Sequence, residues 1–277
     1  MTQLERASGM LRLRHDEIQE QAFKVLASIA DRCDANGLKY ILMYGTLLGA
    51  ARHRGFIPWD DDVDIAMPRP DYEKLRTLLA EGHDGIRFFD HTTTENYPYL
   101  IGRISSDGTR IYRDDEVDCG MGVFVDVYPI DELGDHYRSA VIKAAILGLL
   151  SSMYFASTRA KFEPYCNGRL LKKAYVVFAR AIGASRLRRL MGWIVRESKS
   201  GLHRRYSGAA VWMTFQSKRN VLPTQYFTEL GEIEFNGRMF KAPKDYDRLL
   251  KDYYGDYMSL PPNDQQKPHH EYEAFYV

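Results

Sequence analysis

Four carboxylates fall within five positions of one short segment, at Asp60, Asp61, Asp62 and Asp64. Such groups repel one another when left unpaired, and a divalent cation relieves the repulsion by supplying the opposite charge. Because side chains alternate along a strand, a strand over residues 63–67 would place Asp62 and Asp64 on one face. Paired carboxylates suit Mg²⁺ or Mn²⁺, with substrate phosphates completing the coordination shell. The alternative, an acidic helix cap and an exposed turn, accounts for the first two acids but poorly for the last two.

A further acid lies inside an apolar run, at Asp126 between Val125 and Val127. An ionised carboxylate is costly to bury there unless it is paired or bound to a metal. Upstream, Gly45 and Thr46 stand where a predicted strand turns into a helix, which offers a hydroxyl, free N–H groups and the helix dipole to a phosphate. A Gly-Thr turn, two acids on one strand and a third on another are typical of nucleotidyltransferases of the polymerase-β type.

Basic residues directly before the acids are candidates for binding a diphosphate. Arg52 is the best placed for a bidentate contact, and His53 and Arg54 follow it. For His53 and Arg54 the alternative is equally strong: a helix C-terminus favours cations through its dipole.

The segment around the acids resembles the LicD family, which includes bacterial phosphorylcholine transferases and, more distantly, fukutin and the fukutin-related protein. The resemblance rests on the blocks YGTLLGAARHRGFIPWDDDVDIAMPRPDYEKL, GVFVDVYPID and APKDYDRLLKDYYGDYMSLPP, the last followed by a His pair. These blocks cover most of residues 36–132 and 235–270. The first block is long and specific, whereas residues 137–221 carry little family signal.

The resemblance implies metal-dependent transfer of a phospho-alcohol from a CDP-activated donor to a sugar hydroxyl of a cell-surface glycan or glycolipid, with release of CMP. The donor is CDP-choline in LicD proteins and CDP-ribitol in the fukutin relatives. Phosphocholine is the expected group, with ribitol, glycerol or another phospho-alcohol as open alternatives. Asp62, Asp64 and Asp126 match the metal-binding acids of the family. Gly45 and Thr46 match its phosphate-binding turn.

Other residues receive roles around these acids. Asp60 is the first candidate for the general base, because it adjoins the metal acids but lies outside the strand, and Asp126 is an alternative. Asp61, in the same acidic run, is assigned to substrate binding. Arg103 stands where the family commonly has a basic residue and is predicted to bind phosphate, with Lys218 a further candidate.

Three aromatic or imidazole side chains are candidates for facing the substrate. Trp59 could contact a choline ammonium by a cation–π interaction, although a buried packing role is the stronger alternative. His269 and His270 are expected to face the substrate, since the tail of the family ends in this way. Ser151-Ser152 and Cys119 have no acid or base arrangement nearby, which argues against a Ser or Cys nucleophile.

The net charge of +1 hides two opposed regions. Residues 159–205 hold 13 Lys or Arg against two acids, a net charge of +11, and the rest of the chain holds 25 basic and 35 acidic residues, a net charge of −10. A basic segment beside apolar helices suits an anionic membrane surface or a phosphate-bearing polymer, whereas solvated helix faces are the alternative. Nucleic acid fits less well, because the acidic remainder would repel it.

Targeting and redox features are few. No apolar leader follows the charged N-terminus, and the longest uncharged apolar run, residues 144–158, is shorter than the ~20 residues of a membrane span. Three scattered cysteines argue against a structural zinc or a disulfide framework. We therefore expect a cytoplasmic protein, peripheral at the inner membrane face.

Hydrophobic periodicity predicts helices over residues 12–36, 71–80 and 245–254, with Asp71 capping the second. Strands are expected over residues 39–44, 63–67 and 231–240, a hairpin around the turn 106–108, and a strand over residues 123–128 that ends at Pro129. The expected fold class is α/β (α+β), a polymerase-β-like nucleotidyltransferase with a mixed sheet flanked by helices. The predicted parts are a catalytic core at 1–136, a basic helical insertion at 137–221 and a segment completing the core at 222–277.

Two other function classes remain open. A glycosyltransferase using a nucleotide sugar also employs an Asp-x-Asp metal site, but it does not predict the Gly-Thr turn. A non-catalytic binding module is disfavoured, because all three metal acids are present.

Overall fold

The computed structural model describes residues 9–95, 97–112, 118–158, 168–195, 201–210, 220–267 and 272–277. Its helices are α1 (His15–Ala35), α2 (Tyr44–His53), α3 (Arg69–Leu79), α4 (Tyr137–Thr158), α5 (Arg169–Ile182), α6 (Ala184–Ile194), α7 (Gln225–Thr228) and α8 (Tyr246–Tyr254). Its strands are β1 (Ile41–Leu42), β2 (Asp64–Pro68), β3 (Ile86–Phe89), β4 (Gly102–Ser106), β5 (Thr109–Tyr112), β6 (Phe124–Gly134), β7 (Tyr206–Gly208), β8 (Leu222–Pro223), β9 (Leu230–Phe235), β10 (Arg238–Pro243) and β11 (Glu273–Tyr276).

A mixed sheet forms the centre of the molecule, with the strand order β1-β2-β6-β4-β3. β2 and β6 run parallel, while the other neighbours in this order are antiparallel. The far half of β6 pairs with β7, and β7 pairs with β8. Helices α1 and α3 pack on this sheet. The mixed architecture confirms the predicted α/β (α+β) class, and the narrower polymerase-β-like topology stays a prediction.

Helix α1 forms where apolar residues recur at three- and four-residue spacing, as predicted. Its buried residues are Ala22, Val25, Leu26, Ile29, Ala30 and Cys33. Asn36 caps its C-terminus, and Gly37 follows with a φ of 61°, in the left-handed region that favours glycine. The apolar stripe packs on β4 and β6, so this helix supports two strands that carry candidate site residues.

Strand β6 continues past Pro129, so the prediction that this proline ends the strand is wrong. Proline has no N–H to donate and is tolerated where the ladder needs none. Val127 is the last residue of β6 paired with β4, and Asp131 is the first paired with β7. Pro129 therefore falls between two ladders on that side of β6, while it pairs with Met67 of β2 on the other.

The predicted hairpin around residues 106–108 is also wrong in its pairing. β4 and β5 flank the turn as expected, but β4 lies between β3 and β6 while β5 pairs with β11. The turn residues encode the chain reversal, whereas distant strands decide the partners.

Smaller differences concern element ends. Helix α3 begins after Pro68, and Asp71 lies in its first turn, not at its cap. The expected strand over 231–240 is a hairpin of β9 and β10, in which Asn236 and Gly237 both have positive φ, as a tight two-residue turn requires. The expected helix after Asp245 is confirmed as α8.

Helices α4, α5 and α6 form a second hydrophobic cluster beside the sheet, which we call the helical cluster. Its fully buried side chains include Ala140, Ala144, Leu147, Tyr154 and Ala179. Leu133 of β6 and Leu100, which precedes β4, also belong to this cluster. The predicted division of the chain at residues 136 and 221 stays a prediction.

Helix α4 is longer than the apolar run that the sequence showed. With 22 residues and a mean hydropathy of 1.6 in its most apolar window, it is long and apolar enough to cross a membrane by length and composition alone. Half of that window is buried inside the protein, however, as in the core helix of a globular fold. The apolar run at residues 144–158 predicted a segment too short to span a membrane. That prediction of length is wrong, because the helix extends over 22 residues.

Candidate functional site

Three charged side chains of the central sheet lie in register across adjacent strands. Asp64, the first residue of β2, pairs with Asp126 of β6, and Asp126 pairs in turn with Arg103 of β4. Residues paired directly across a sheet project to the same face. The sheet therefore brings together two acids and an arginine that are far apart in sequence.

Asp64 is a buried carboxylate whose hydrogen-bonding capacity is not fully satisfied. It is 5% exposed, and its Oδ1 has no hydrogen-bond partner. Burial raises the pKa of the Asp64 carboxyl well above its ordinary value, and nearby acids raise it further, while a hydrogen bond from Tyr128 acts in the opposite direction. Those acids are, in decreasing order of effect, Asp62, Asp126 and Asp60. An oxygen in this setting is ready to accept a cation.

Asp126 is paired with an arginine that cannot move freely. Arg103 Nε donates to Asp126 Oδ1 at 2.7 Å, and both residues are buried. The guanidinium lies between two rings, 3.7 Å from the centroid of Tyr99 and 3.9 Å from that of Phe124. Burial alone would lower the pKa of Arg103, but the Asp126 charge raises it well above its usual value. Arg103 thus positions Asp126, and its predicted contact with a phosphate stays a prediction.

The three consecutive acids before β2 come together at the same end of the sheet. Asp60, Asp61 and Asp62 each offer a carboxylate oxygen within 4.8 Å of the others, which is close enough for one metal ion. Asp60 and Asp61 are each 6% exposed. They do not form the exposed turn of the alternative explanation.

Backbone contacts hold this acidic segment in place. The Asp60 carbonyl accepts from Gln19 Nε2 at 2.8 Å, and the Asp61 carbonyl accepts from the hydroxyl of Tyr272 at 3.1 Å. Helix α1 and the C-terminal strand region therefore fix the acids from two sides.

The Gly-Thr pair lies in the first turn of α2, directly against the acids. A Cβ on Gly45 would stand 2.8 Å from Asp60 Oδ2, so only glycine allows this close approach. The Thr46 hydroxyl accepts from the backbone N–H of Asp64 at 2.8 Å and is buried. Thr46 thereby positions Asp64 at the start of β2. Its predicted contact with a phosphate stays a prediction.

The basic residues that end α2 face the tail of the chain. Arg52 Nη1 donates to the carbonyls of Tyr257 at 3.1 Å and Ser259 at 3.2 Å. Burial lowers the pKa of His53, and the adjacent Arg52 lowers it further. Trp59 is half-buried and packs against the main core, which agrees with the packing alternative. Roles of these residues in binding substrate stay predictions.

Three predicted site residues, Lys218, His269 and His270, lie outside the described residues.

A group of tyrosines lies beside the acids, although no sequence pattern had predicted them as site residues. Tyr44 packs against Tyr128 with ring centroids 5.0 Å apart and against Tyr253 at 5.7 Å. Tyr254 is 43% exposed; burial of its hydroxyl raises its pKa, and the charges of Asp64, Asp60 and Asp62 raise it further. A signal existed for Tyr128, because it follows Asp126 by two positions on one strand and so shares its face. Tyr254 had no such local signal.

The donor set fits a divalent cation. Carboxylate oxygens are the ligands that Mg²⁺ and Mn²⁺ prefer, and three of them converge at Asp60, Asp61 and Asp62. Asp64 is a fourth acid in electrostatic contact with this group, and its Oδ1 has no hydrogen-bond partner. Tyr254, which is 43% exposed, is in electrostatic contact with these acids.

Known proteins resemble this chain in sequence. Residues 37–143 match the LicD/FKTN/FKRP nucleotidyltransferase domain. The chain is 26% identical over 288 residues to the lipopolysaccharide cholinephosphotransferase LicD of Haemophilus influenzae, covering 96% of this chain and 99% of that protein. Uncharacterized proteins of Rickettsia prowazekii and Rickettsia typhi are 48% and 46% identical over 46 residues, which are 17% of this chain and 17% and 15% of those proteins.

Proposed function

We propose that the protein transfers phosphocholine from CDP-choline to a sugar hydroxyl of a cell-surface glycan or glycolipid such as lipopolysaccharide. The match of residues 37–143 to the LicD/FKTN/FKRP nucleotidyltransferase domain supports this proposal. The observation that carries the proposal is the convergence of acids at the start of β2, where an Asp64 oxygen has no hydrogen-bond partner. The near full-length likeness to a cholinephosphotransferase supports the choice of choline and of the acceptor class.

Asp62, Asp64 and Asp126 would hold Mg²⁺ or Mn²⁺, and Asp60 and Asp61 each have a carboxylate oxygen within 4.8 Å of one of Asp62. When bound, the ion would neutralise the negative charge that develops on the diphosphate and on departing CMP. Asp126 already shares its charge with Arg103, so this acid would be oriented before any ligand arrives.

The protein's own residues would assist the transfer of the phosphocholine group. The acceptor oxygen forms a bond to the choline-bearing phosphorus, the bond from that phosphorus to the bridging oxygen breaks, and CMP leaves with that oxygen. Asp60 takes the proton of the acceptor hydroxyl, and Asp126 is the alternative base. The first turn of α2, at Gly45 and Thr46, offers backbone N–H groups to the donor phosphates, while Arg52 stands at the other end of the same helix.

CMP release measured by chromatography tests the proposal, with a lipopolysaccharide extract as acceptor. We expect release from CDP-choline that requires Mg²⁺ or Mn²⁺ and falls at least about 100-fold in Asp62→Asn, which removes one charge from the acid group. Asp107→Asn, an exposed carboxylate in the turn after β4, is the matched control and should keep full activity.

Release from CDP-ribitol or CDP-glycerol alone would contradict the choline assignment but retain the reaction. Turnover of UDP-glucose without any CDP-alcohol would favour the glycosyltransferase alternative. Metal-independent release would remove the role assigned to the acids.

Tyr254 is expected to contribute to recognition of the choline ammonium. Its ring is partly exposed and in electrostatic contact with the acids, and a cation–π contact is worth about 0.5–2 kcal/mol. Tyr254→Leu should therefore raise the KM for CDP-choline by about 2- to 30-fold, whereas Tyr254→Phe, which keeps the ring, should change it little. The same two variants are measured with CDP-glycerol, a donor without the choline ammonium, for comparison. An equal loss with both donors would assign Tyr254 to packing and not to choline.

A further inference from the structure

Helix α5 has two apolar faces, only one of which is covered. Tyr175, Val176 and Ile182 are partly buried against the helical cluster, and Ala179 is fully buried. The hydroxyl of Tyr175 donates to Ser152 Oγ of α4 at 2.9 Å, which fixes this face inward. The inward face accounts for only part of the apolar content of the helix.

The opposite face of α5 is apolar and exposed. Leu170, Val177 and Phe178 are 83%, 66% and 61% exposed, and Ala174 and Ala181 are exposed between them. At 100° per residue these positions form one stripe on the side of the helix away from the inward residues. A solvated helix face would carry polar side chains here, so this stripe indicates a binding surface.

The neighbouring helices α4 and α6 also expose apolar side chains. Ile142, Ile146 and Leu149 of α4 are 62%, 48% and 43% exposed, at helical spacing. Leu190 and Trp193 of α6 are 46% and 61% exposed. Tryptophan is the side chain that prefers the boundary between apolar and aqueous phases. We call these residues of α4 and α6, together with the α5 stripe, the exposed apolar surface.

Within α4, α5 and α6 the charged side chains have one sign. From Arg169 to Ile194 the sequence holds seven Lys or Arg and no Asp or Glu, and α4 holds two basic residues and no acid. On α5, Arg169, Lys173 and Arg180 lie along one edge of the apolar stripe, by their helical spacing. Apolar side chains bordered by basic ones match a lipid leaflet with anionic headgroups.

We propose that the exposed apolar surface docks the protein on an anionic membrane, with α5 lying in the plane of the headgroups. Helix α4 does not cross the bilayer in this arrangement. Its inward residues Ala140, Ala144 and Leu147 are fully buried in the helical cluster, and Lys143 Nζ donates to the carbonyl of Glu132 of β6 at 2.8 Å. The helix is therefore held as part of the fold.

Charge and apolar character together favour an anionic membrane over a second copy of the chain or a soluble polyanion. A second copy of the chain would bring two uniformly basic surfaces together, and their repulsion opposes a dimer through this face. A soluble polyanion would satisfy the Lys and Arg side chains but leave Leu170, Val177 and Phe178 in water. Only an anionic lipid surface matches both the charge and the apolar side chains.

Vesicle flotation of the full-length protein without substrate tests the proposal independently of the catalytic one. The probes are vesicles of phosphatidylglycerol mixed with phosphatidylcholine, and vesicles of phosphatidylcholine alone. We expect binding to the anionic vesicles that weakens with added salt. Val177→Ser/Phe178→Ser and Arg169→Glu/Lys173→Glu should each lower the partition coefficient more than about tenfold. Met239→Ser, at a residue 53% exposed on β10, is the control and should bind normally.

Thermal melting confirms that each variant is folded before its binding is compared. Absence of wild-type flotation with anionic vesicles would overturn the proposal, as would binding that both double variants retain. Sedimentation velocity supplies the remaining comparison: a wild-type dimer that becomes monomeric in Val177→Ser/Phe178→Ser would identify the surface as a protein interface instead. Unchanged CMP release in these variants with a soluble acceptor would separate docking from catalysis.

Discussion

Asp64→Asn is expected to stop CMP release while making the metal-free protein more stable. The Asp64 carboxylate is 5% exposed, one of its oxygens has no hydrogen-bond partner, and neighbouring acids add like charge. Asparagine removes that charge with almost no change in shape. The free energy of unfolding without metal should rise by about 0.5–2 kcal/mol. Gains of this size are common when a residue that serves function but lowers stability is replaced.

The activity should change in the opposite direction, falling at least about 100-fold, because the variant lacks a carboxylate that neutralises the cation and orients the donor. Calorimetry with and without Mn²⁺ gives the stability, and CMP release gives the activity. Added Mn²⁺ should raise the melting temperature of the wild type more than that of the variant, since a ligand that binds only the folded state stabilises it.

Asp107→Asn again serves as the matched control and should change neither quantity. A metal-free Asp64→Asn protein less stable than the wild type would contradict this interpretation. It would show that the hydrogen bond from Tyr128 outweighs the burial and repulsion of the charge.

Arg103→Met is expected to destabilise the protein by about 3–5 kcal/mol, because it leaves the Asp126 carboxylate buried without its partner. Methionine keeps the volume and the apolar stem between the rings of Tyr99 and Phe124, so the loss reports mainly on charge. Urea denaturation with an unchanged m-value would measure it.

Two companion variants separate positioning from phosphate binding. Arg103→Met/Asp126→Asn removes both charges and should recover most of the stability, since replacing a buried ion pair is often neutral. It should remain inactive, because Asp126 is then missing from the proposed metal site. Arg103→Lys keeps the positive charge but loses the planar group between two rings, so it should be less stable than the wild type.

A normal melting temperature for Arg103→Lys together with a raised KM for the donor would contradict the positioning role. That outcome would restore the phosphate contact predicted from the sequence.

Local spacing was sufficient for much of the fold. The apolar periodicity of α1, the strand at β2 and the helix α8 after Asp245 all formed where expected, because neighbouring residues alone set those patterns. Strand partners were not predictable in the same way. The chain turns at residues 106–108 as its Ser-Asp-Gly sequence requires, yet β5 pairs with β11, which lies at the other end of the chain.

The candidate site shows the same contrast between features set by local sequence and contacts between distant segments. An acidic group beside a Gly-Thr turn was predictable, because those residues are close along the chain and their types suit phosphate and metal. The contact of Thr46 with the backbone of Asp64, the pairing of Arg103 with Asp126 and the tyrosines beside the acids became visible in the folded structure. These contacts join separate helices and strands, and their geometry comes from sheet register and core packing, which spacing in a single sequence does not express.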